Sequence, residues 1–240
     1  MAHRLGEQWQ QLRQQDLQRR EMVANISHDL RTPLASLHGY LETLAMKEAT
    51  LSVDERRRYL SIALSQSAKV GGLARALFEL ARLEHGQVQL QWEVFALPEL
   101  LQDVLQKFEL SAQAKGQQLD ADFPQGLPLV RADVGLVERV LTNLIDNALR
   151  HTPPGTQVWV RTWRNAGEFG VDVVDDGGGP APTTPPSTRP HNLGIGLTLV
   201  RRIAAQHGAQ LLSAPPTPPW THGWRIVWPA TGSHKPDPQA

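Results

Sequence analysis

The first third of the chain repeats apolar residues every three or four positions, with polar residues between them. This spacing is typical of the buried stripe of an amphipathic helix or a coiled coil. The stripe consists of Val23, Ile26, Leu30, Leu34, Leu37, Leu41 and Leu44. A second stripe of the same kind consists of Leu60, Ala63, Ser67, Val70, Ala74, Leu77 and Leu80. We therefore predict two long helices within residues 1–85.

A short polar break, KEATLSVDE at residues 47–55, separates the two predicted helices. Ser52 is a suitable N-cap for the second helix, and Glu55 stands at capping-box distance from it. Two long helices with a short connection predict an antiparallel hairpin. One hairpin leaves an apolar face open, so we expect two chains to pair into a four-helix bundle. The helical pattern alone favours the simpler interpretation, an inert coiled-coil dimerisation module.

From about residue 87, short strand-like runs alternate with helices, which predicts an α/β sandwich domain. The predicted strands are 88–95, 117–123, 127–133, 156–164, 168–175, 209–214 and 223–230, and the predicted helices are 97–115, 134–151 and 193–207. The stretch GGGPAPTTPPSTRPHN at 177–192 predicts an irregular loop, and the tail TGSHKPDPQA at 231–240 predicts disorder.

The composition narrows the possible classes of protein. The chain of 240 residues has 40% hydrophobic residues, enough for a packed core, and its 24 Lys and Arg balance 24 Asp and Glu. This balance argues against nucleic-acid binding or general membrane-surface binding. The absence of cysteine excludes disulfides and thiolate metal sites. Without a long apolar run or a signal peptide, we expect a soluble chain of intracellular type.

One histidine lies on the polar side of the first helix, within the stretch NISHDLRTPLASL. At about 100° per residue, His28 lies about 200° from the stripe residues Ile26 and Leu30, so it is predicted to face solvent. Thr32 follows one turn later, and Pro33 removes the backbone hydrogen bond to the carbonyl of residue 29, which predicts a bend. A neutral imidazole is a good nucleophile near pH 7. A lone histidine in this position is more often simply solvated.

Three features in the second half suit a nucleotide site. In NLIDNALRHTP, Asn143 and Asn147 lie one helical turn apart, and amide oxygens suit Mg²⁺ held among phosphates. Arg150 follows one turn later and can reach a phosphate. The simpler interpretation of these residues is a polar helix face.

The other two features are glycine-rich. In VVDDGGGP, Asp175 ends a strand-like run, and its carboxylate can accept a hydrogen bond from an adenine amino group. Gly177 and Gly179 let the backbone approach a ligand closely. In NLGIGLTLVRRIAAQHG, Gly194 and Gly196 open a helix whose first amides can bind phosphate. The simpler interpretations are a hairpin turn and a flexible hinge.

The run SHDLRTPL resembles the H-box of the sensor histidine kinases of two-component systems. This resemblance implies that His28 is autophosphorylated, that Asp29 acts as base, and that Thr32 takes part in dephosphorylating the partner response regulator. It also implies transfer of the phosphoryl group to an aspartate of the regulator's receiver domain.

The paired asparagines, the D-x-G-x-G turn, the proline-rich loop and the G-x-G-L helix start resemble, in this order, the N, G1 and G2 boxes of the histidine-kinase ATP-binding domain. That fold family includes gyrase, Hsp90 and MutL. The resemblance implies ATP and Mg²⁺ as ligands, with Asn143 and Asn147 on Mg²⁺-ATP and Asp175 on adenine. The glycines that would shape the pocket are Gly177, Gly179, Gly194 and Gly196.

The resemblance covers nearly the whole chain and implies an α+β architecture, in which a dimeric four-helix bundle precedes an α/β-sandwich ATP-binding domain. The implied limits are 1–18 for a helix resembling the end of a HAMP domain, 19–86 for dimerisation and phosphotransfer, 87–230 for ATP binding and 231–240 for the tail. We expect a homodimer in the cytoplasm, either as part of an inner-membrane sensor or as a soluble homologue.

The chain departs from the family pattern around the predicted lid. Asn192 replaces a glycine, Pro180 replaces an aliphatic residue, and no phenylalanine stands between Gly179 and Gly194. The lid is short and rich in proline, and Arg189 is its one arginine. Two other functions therefore stay open: a non-catalytic ATP-sensing dimer, and a fold relative with ATPase or protein-serine kinase activity. The intact SHDLRTPL argues against the latter.

Overall fold

The computed structural model describes residues 2–47, 50–84, 89–124, 126–165, 167–177, 194–214 and 219–229. They divide into two compact units. The first is drawn from Met1–Ala81 and His191–Gly196, and the second from Arg82–Pro190 and Leu197–Ala240. The predicted loop beyond residue 177 and the predicted disordered tail lie outside the described residues.

Two long helices build the first unit. Helix α1 spans Ala2–Met46 and continues through Pro33, and helix α2 spans Val53–Glu84 and extends into the second unit. The rings of Tyr40 and Tyr59 lie 5.6 Å apart, so the end of α1 packs beside the start of α2. The predicted helical hairpin is confirmed.

The start of α2 carries the capping box that the sequence predicts. The Ser52 N–H and hydroxyl donate to Glu55 Oε2 at 2.9 and 2.8 Å, and the Glu55 N–H donates to Ser52 Oγ at 3.2 Å. These hydrogen bonds hold the pKa of the Glu55 carboxyl below its ordinary value. The cap explains why α2 begins at Val53, because it satisfies amide groups that a helix N-terminus otherwise leaves unpaired.

The apolar stripes of the hairpin are only partly covered within one chain. Ala63 and Ala76 are buried, but Leu34 and Leu41 are each 47% exposed and Leu60 is 45% exposed. Leucines spaced along two neighbouring helices form an apolar face that a single hairpin cannot bury.

The second unit is a sheet with helices packed against it. Its helices are α3 (Leu97–Ala114), α4 (Val134–His151) and α5 (Ile195–Gln206), of which the part from Leu197 onward belongs to this unit. Its strands are β1 (Glu93–Phe95), β2 (Gln118–Asp122), β3 (Val130–Ala132), β4 (Gln157–Asn165), β5 (Glu168–Asp175), β6 (Gln210–Ser213) and β7 (His222–Pro229). The main sheet has the order β2-β4-β5-β7-β6, with β2 parallel to β4 and the other pairs antiparallel.

Strand β5 lies at the centre of this sheet and is buried on both faces. Successive side chains of a strand point to opposite faces. Val173 and Asp175 lie on the face against which α4 packs, whereas Asp172 lies on the other face, opposite Arg161 of β4 and Arg225 of β7. Strand β5 therefore places one carboxylate, Asp175, on the face that packs against α4 and another, Asp172, on the opposite face.

Helix α4 has the limits that the sequence predicts. Asp133 caps it, because its Oδ1 accepts a hydrogen bond of 3.0 Å from the Leu136 N–H. Its buried side chains recur at helical spacing and include Val137, Leu141 and Leu144. A firm start and a continuous apolar stripe fix both the position and the rotation of this helix against the sheet.

The strand predicted at 88–95 is too long. Of its described residues, 89–95, only Glu93–Phe95 pairs, with Val130–Ala132. The partner strand ends there because Asp133 already caps α4, and the Gln91 N–H donates to the Asp133 carboxylate at 3.0 Å instead of to a backbone ladder.

Candidate functional site

The candidate phospho-acceptor histidine lies on α1. The side chain of His28 is 79% exposed, as the helical phase predicts, and its Nδ1 lies 3.7 Å from Asp29 Oδ1. This distance is that of an electrostatic contact rather than a hydrogen bond. When the carboxylate favours a proton on Nδ1, the lone pair of the neutral imidazole is on Nε2, which can then attack an electrophile.

Thr32 lies one turn beyond His28. Its hydroxyl donates to the His28 carbonyl oxygen at 3.4 Å. The carbonyl of residue 29 lacks its usual helical donor because the residue four positions later is Pro33. The structure therefore brings His28, Asp29 and Thr32 together on one stretch of α1.

A cavity of about 410 Å³ opens in the second unit, a size typical of small-molecule sites, which measure roughly 300–1,000 Å³. Three of the residues predicted to bind nucleotide line it: Asn147, Asp175 and Gly177. The other lining residues were not predicted. They are Ala148, His151, Thr152, Val173, Ser213, His222, Gly223 and Trp224.

Asp175 is the one acid among the residues that line the cavity. It is 8% exposed, and its Oδ1 accepts a hydrogen bond of 3.1 Å from the Gly177 N–H. Burial raises the pKa of the Asp175 carboxyl above its ordinary value, and the Gly177 N–H offsets this only in part. A buried carboxylate with unused acceptor capacity is suited to binding a hydrogen-bond donor of a ligand.

Gly177 is required by close packing. A Cβ atom at this position would lie 2.9 Å from Thr152 Cγ2 and 3.1 Å from Asp175 Oδ1. The glycine therefore lets the end of β5 turn directly beneath the end of α4, where the cavity forms.

The C-terminal end of α4 is fixed by a glutamine that immediately precedes β2. Gln117 is 5% exposed, and its Nε2 donates to the carbonyl oxygens of Leu149 and Thr152 at 3.1 and 2.9 Å and to Thr152 Oγ1 at 2.8 Å. This residue holds Thr152 at the cavity wall. The sequence offered one weak signal for it, a polar residue at the start of the strand predicted at 117–123.

The other predicted nucleotide-binding residues of α4 do not line this cavity. Asn143 Nδ2 donates to the Arg139 carbonyl oxygen at 2.7 Å, and Arg150 is exposed and forms an ion pair with Asp146. Their contact with Mg²⁺-ATP stays a prediction. Of the predicted glycines, Gly194 immediately precedes α5 and Gly196 is its second residue, and neither lines the cavity. Gly179, Pro180, Arg189 and Asn192 lie outside the described residues.

The donor set of the cavity fits a magnesium nucleotide better than a metal held by protein alone. Within the described ranges, no group of three or more His, Asp and Glu residues is arranged to hold a metal ion. The Asn147 amide in the cavity wall can supply one oxygen ligand, and Mg²⁺ commonly takes its remaining ligands from phosphates and water.

Among the helices whose residues are described, none is long and apolar enough to cross a bilayer.

Two family models match the chain. The model described as "His Kinase A (phospho-acceptor) domain" matches residues 18–86, and the model described as "Histidine kinase-, DNA gyrase B-, and HSP90-like ATPase" matches residues 132–228. The first match contains His28, and the second contains all the residues that line the cavity.

Curated relatives match over both regions. "Drug sensory protein A" of Synechocystis sp. is 28% identical over 213 residues, which is 80% of this chain and 32% of the relative. "Sensor protein SrrB" of Staphylococcus aureus is 29% identical over 209 residues, which is 82% of this chain and 36% of the relative. The chain thus spans about a third of the length of these relatives.

Solved structures share the fold. Histidine kinase ThkA, in complex with response regulator protein TrrA, matches with a TM-score of 0.67 and 21% identity, over 88% of this chain and 61% of that one. Histidine kinase AdeS of Acinetobacter baumannii matches with a TM-score of 0.64 and 22% identity, over 84% and 97%. ShkA, in complex with AMPPNP, matches with a TM-score of 0.57 and 23% identity, over 86% and 44%. The predicted fold class is confirmed.

Proposed function

The chain belongs to the sensor histidine kinases, and on this premise we propose that it transfers the γ-phosphoryl group of ATP to His28 and then to an aspartate of a response regulator. The observation that carries the proposal is the presence, in one chain, of an exposed imidazole beside a carboxylate and of a nucleotide-sized cavity with a buried acid.

In the proposed first step, the Nε2 lone pair of His28 attacks the γ-phosphorus. A P–N bond forms, the bond from the γ-phosphorus to the bridging oxygen breaks, and ADP leaves. The Nδ1 proton of the resulting phosphoimidazolium passes toward the Asp29 carboxylate, the nearest acid in sequence and 3.7 Å away. Positioning and charge neutralisation by bound Mg²⁺ supply most of the rate enhancement in phosphoryl transfer.

In the cavity, Asp175 would bind the adenine amino group and Asn147 would contribute to the Mg²⁺-phosphate end. Gly177 supports this by keeping the turn after β5 free of side-chain atoms. Roles for Asn143, Arg150, Gly179, Gly194 and Gly196 in ATP binding are carried over from the family pattern. Thr32 would support the reverse reaction, removal of the phosphoryl group from the regulator.

We propose that residues 19–86 dimerise and carry the phospho-acceptor, that 87–230 bind ATP, and that 1–18 are a signalling helix similar to the end of a HAMP domain. The half-exposed Leu34, Leu41 and Leu60 support a homodimer, because a second hairpin would cover them. A cytoplasmic location, either as part of a membrane sensor or as a soluble homologue, follows from the same family pattern. The solved complex of ThkA with TrrA supports a receiver domain as the second substrate.

The deciding experiment is incubation with γ-labelled ATP and Mg²⁺, comparing the parent chain with His28→Ala and with His38→Ala. His38 is a matched control because it is also an exposed histidine of α1, paired with Glu42 at 3.2 Å. We expect acid-labile, alkali-stable label in the parent and the His38 variant, and none in the His28 variant.

A non-catalytic ATP-sensing dimer is the second candidate function, favoured by the departures in the proline-rich segment. It predicts that AMPPNP binds to the parent while no label is transferred. Label that persists in His28→Ala would contradict both candidates.

A further inference from the structure

We propose that Trp224 is a specificity-determining residue of the ATP site, whose indole ring forms the wall against which the adenine base packs. The inference rests on the proposed function, because it takes ATP as the nucleotide in the cavity. No motif found in the sequence assigns Trp224 a role. In this role the indole ring favours a large, flat purine over a smaller base.

Trp224 lies on the face of β7 that lines the cavity. In the antiparallel pairings it is directly opposite Val173 of β5 on one side and Ser213 of β6 on the other. These three side chains form one row across the sheet, and all three line the cavity. On the helix side, the cavity is lined by the small side chain of Ala148. An aromatic wall on one side and a small aliphatic residue on the other suit a flat, largely apolar ligand.

Asp175 and Trp224 are diagonal neighbours on the same face of the paired strands. Asp175 is directly opposite His222, and Trp224 lies two residues further along β7. Diagonal neighbours are about 7–8 Å apart, which is within reach of an aromatic side chain. A base whose amino group donates to Asp175 can therefore lay its ring face on Trp224. The two residues would recognise different parts of the same base.

The ring of Trp224 differs in its surroundings from the other tryptophan rings of the second unit. Each of the others contacts an aromatic ring or a guanidinium of the same chain. These pairs are Trp92–His207, Trp159–Trp220, Trp163–Arg225 and Trp228–Phe169. Among the residues that the structure describes, Trp224 makes no such contact, and it is only partly buried. Because aromatic rings gain from a stacked or edge-on partner, a planar base that enters the cavity would supply one.

The backbone next to Trp224 is held closely against β5. A Cβ atom at Gly223 would lie 2.5 Å from the Val173 carbonyl oxygen and 2.6 Å from Val174 Cγ1. The glycine therefore lets β7 approach β5, and the close approach fixes the strand that carries Trp224. A wall that is already in place costs little conformational entropy when a ligand binds.

Contact with an indole ring favours purines over pyrimidines. A purine covers more of the indole than a pyrimidine does, and the dispersion attraction grows with the number of atoms in contact. ADP and CDP both carry an exocyclic amino group that can donate to Asp175. The ratio of their affinities therefore reports mainly on the ring contact, and it does not depend on the fraction of the protein that is folded.

The test measures binding of ADP and CDP, each with Mg²⁺, to the parent, Trp224→Leu, Trp224→Phe and Trp159→Leu by calorimetry. Leucine keeps apolar volume without a planar ring, whereas phenylalanine keeps a ring. Trp159→Leu is the matched control, because Trp159 lies on the opposite face of the sheet. We expect Trp224→Leu to weaken ADP binding about five- to hundredfold and to lower the preference for ADP over CDP at least about threefold, as for one lost base–aromatic contact. Trp224→Phe and Trp159→Leu should keep most of the preference.

A fluorescence measurement on Trp224→Phe covers the case in which Trp224→Leu does not fold. ADP should quench the tryptophan emission of the parent, and Trp224→Phe should lose most of this quenching while it still binds ADP. A fall in preference in Trp224→Leu no larger than that in Trp159→Leu, or undiminished quenching in Trp224→Phe, would overturn the role of Trp224 and leave the kinase proposal standing. Failure of the parent to bind either nucleotide would overturn the ATP site itself.

Discussion

Asp172 provides a sharp test of how the sheet around the site is held together. Its carboxylate is fully buried on the face of β5 opposite the cavity. Oδ1 accepts hydrogen bonds from Arg225 Nε at 2.6 Å and Trp163 Nε1 at 2.9 Å. Oδ2 accepts from Arg161 Nε at 3.0 Å and Arg225 Nη2 at 2.7 Å. One carboxylate thus connects β5 to both of its neighbours in the sheet.

We predict that Asp172→Asn destabilises the second unit by about 3–5 kcal/mol, the cost typical of breaking a buried ion pair. The variant turns an acceptor into an amide donor that faces guanidinium donors, and it leaves Arg161 and Arg225, only 25% and 22% exposed, without their counter-charge. By contrast, Glu138→Gln removes only the exposed Lys107–Glu138 pair and should cost less than about 1 kcal/mol.

Urea unfolding monitored by tryptophan fluorescence measures the difference. The second unit holds every tryptophan except Trp9, so the signal reports on this unit. If Asp172→Asn lost no more stability than Glu138→Gln, the buried cluster would not stabilise the sheet. A further consequence concerns the site, because a one-residue slip of β5 would turn Asp175 to the face opposite the cavity. We therefore expect weaker nucleotide binding by Asp172→Asn as well.

Four other substitutions change the charge of a buried side chain, the turn after β5 or the helix around His28. Burial raises the pKa of Asp175 in the folded chain, so the free energy of unfolding falls as pH rises above the ordinary pKa of an aspartate. Asp175→Asn should therefore increase stability to urea at pH 7 and show no gain below about pH 3.5. The same variant should lose ADP binding. Burial lowers the pKa of His207, so the parent should lose stability as pH falls below about 6.5. In urea titrations between about pH 7.5 and 5.5, the stability of His207→Gln should depend less on pH than that of the parent. Gly177→Ala should weaken AMPPNP binding at least about tenfold in calorimetry, since its Cβ would press on Thr152 Cγ2 at 2.9 Å; unchanged affinity would mean that the turn adapts. Pro33→Ala restores the helical hydrogen bond from residue 33 to the carbonyl of residue 29, next to His28. It should therefore change the ratio of autophosphorylation to regulator dephosphorylation, measured with labelled His28 and labelled regulator. Equal ratios in the variant and the parent would exclude Pro33 as a switch.

Local sequence signals predicted most of the elements. The Ser52 capping box and the strand-like run EFGVDVVD each act within a few residues, and the elements they predict have the predicted limits or nearly so. The strand predicted at 88–95 was too long because its length depends on a distant partner, which ends at Ala132.

The candidate site was predicted in part, and Asn147, Asp175 and Gly177, which line the cavity, were predicted from the order of the family motifs. The neighbourhood of His28, Asp29 and Thr32 follows from helical spacing alone. His222 was missed because its relation to Asp175 depends on the pairing of strands separated by an intervening helix and strand. Gln117 was missed for the same reason, since its partners at the end of α4 are more than thirty residues away.

The pairing of β5 with β7 also bears on how such chains diverge. Residues 176–221 connect the paired Asp175 and His222, and they include the proline-rich segment. The entropy lost on closing a chain connection grows only logarithmically with its length, by about 0.6 kcal/mol for each doubling. Changes in the length of the proline-rich segment therefore alter the free energy of sheet assembly only slightly. Chains of this fold can therefore differ in the length of the proline-rich segment and still pair β5 with β7 in the same register.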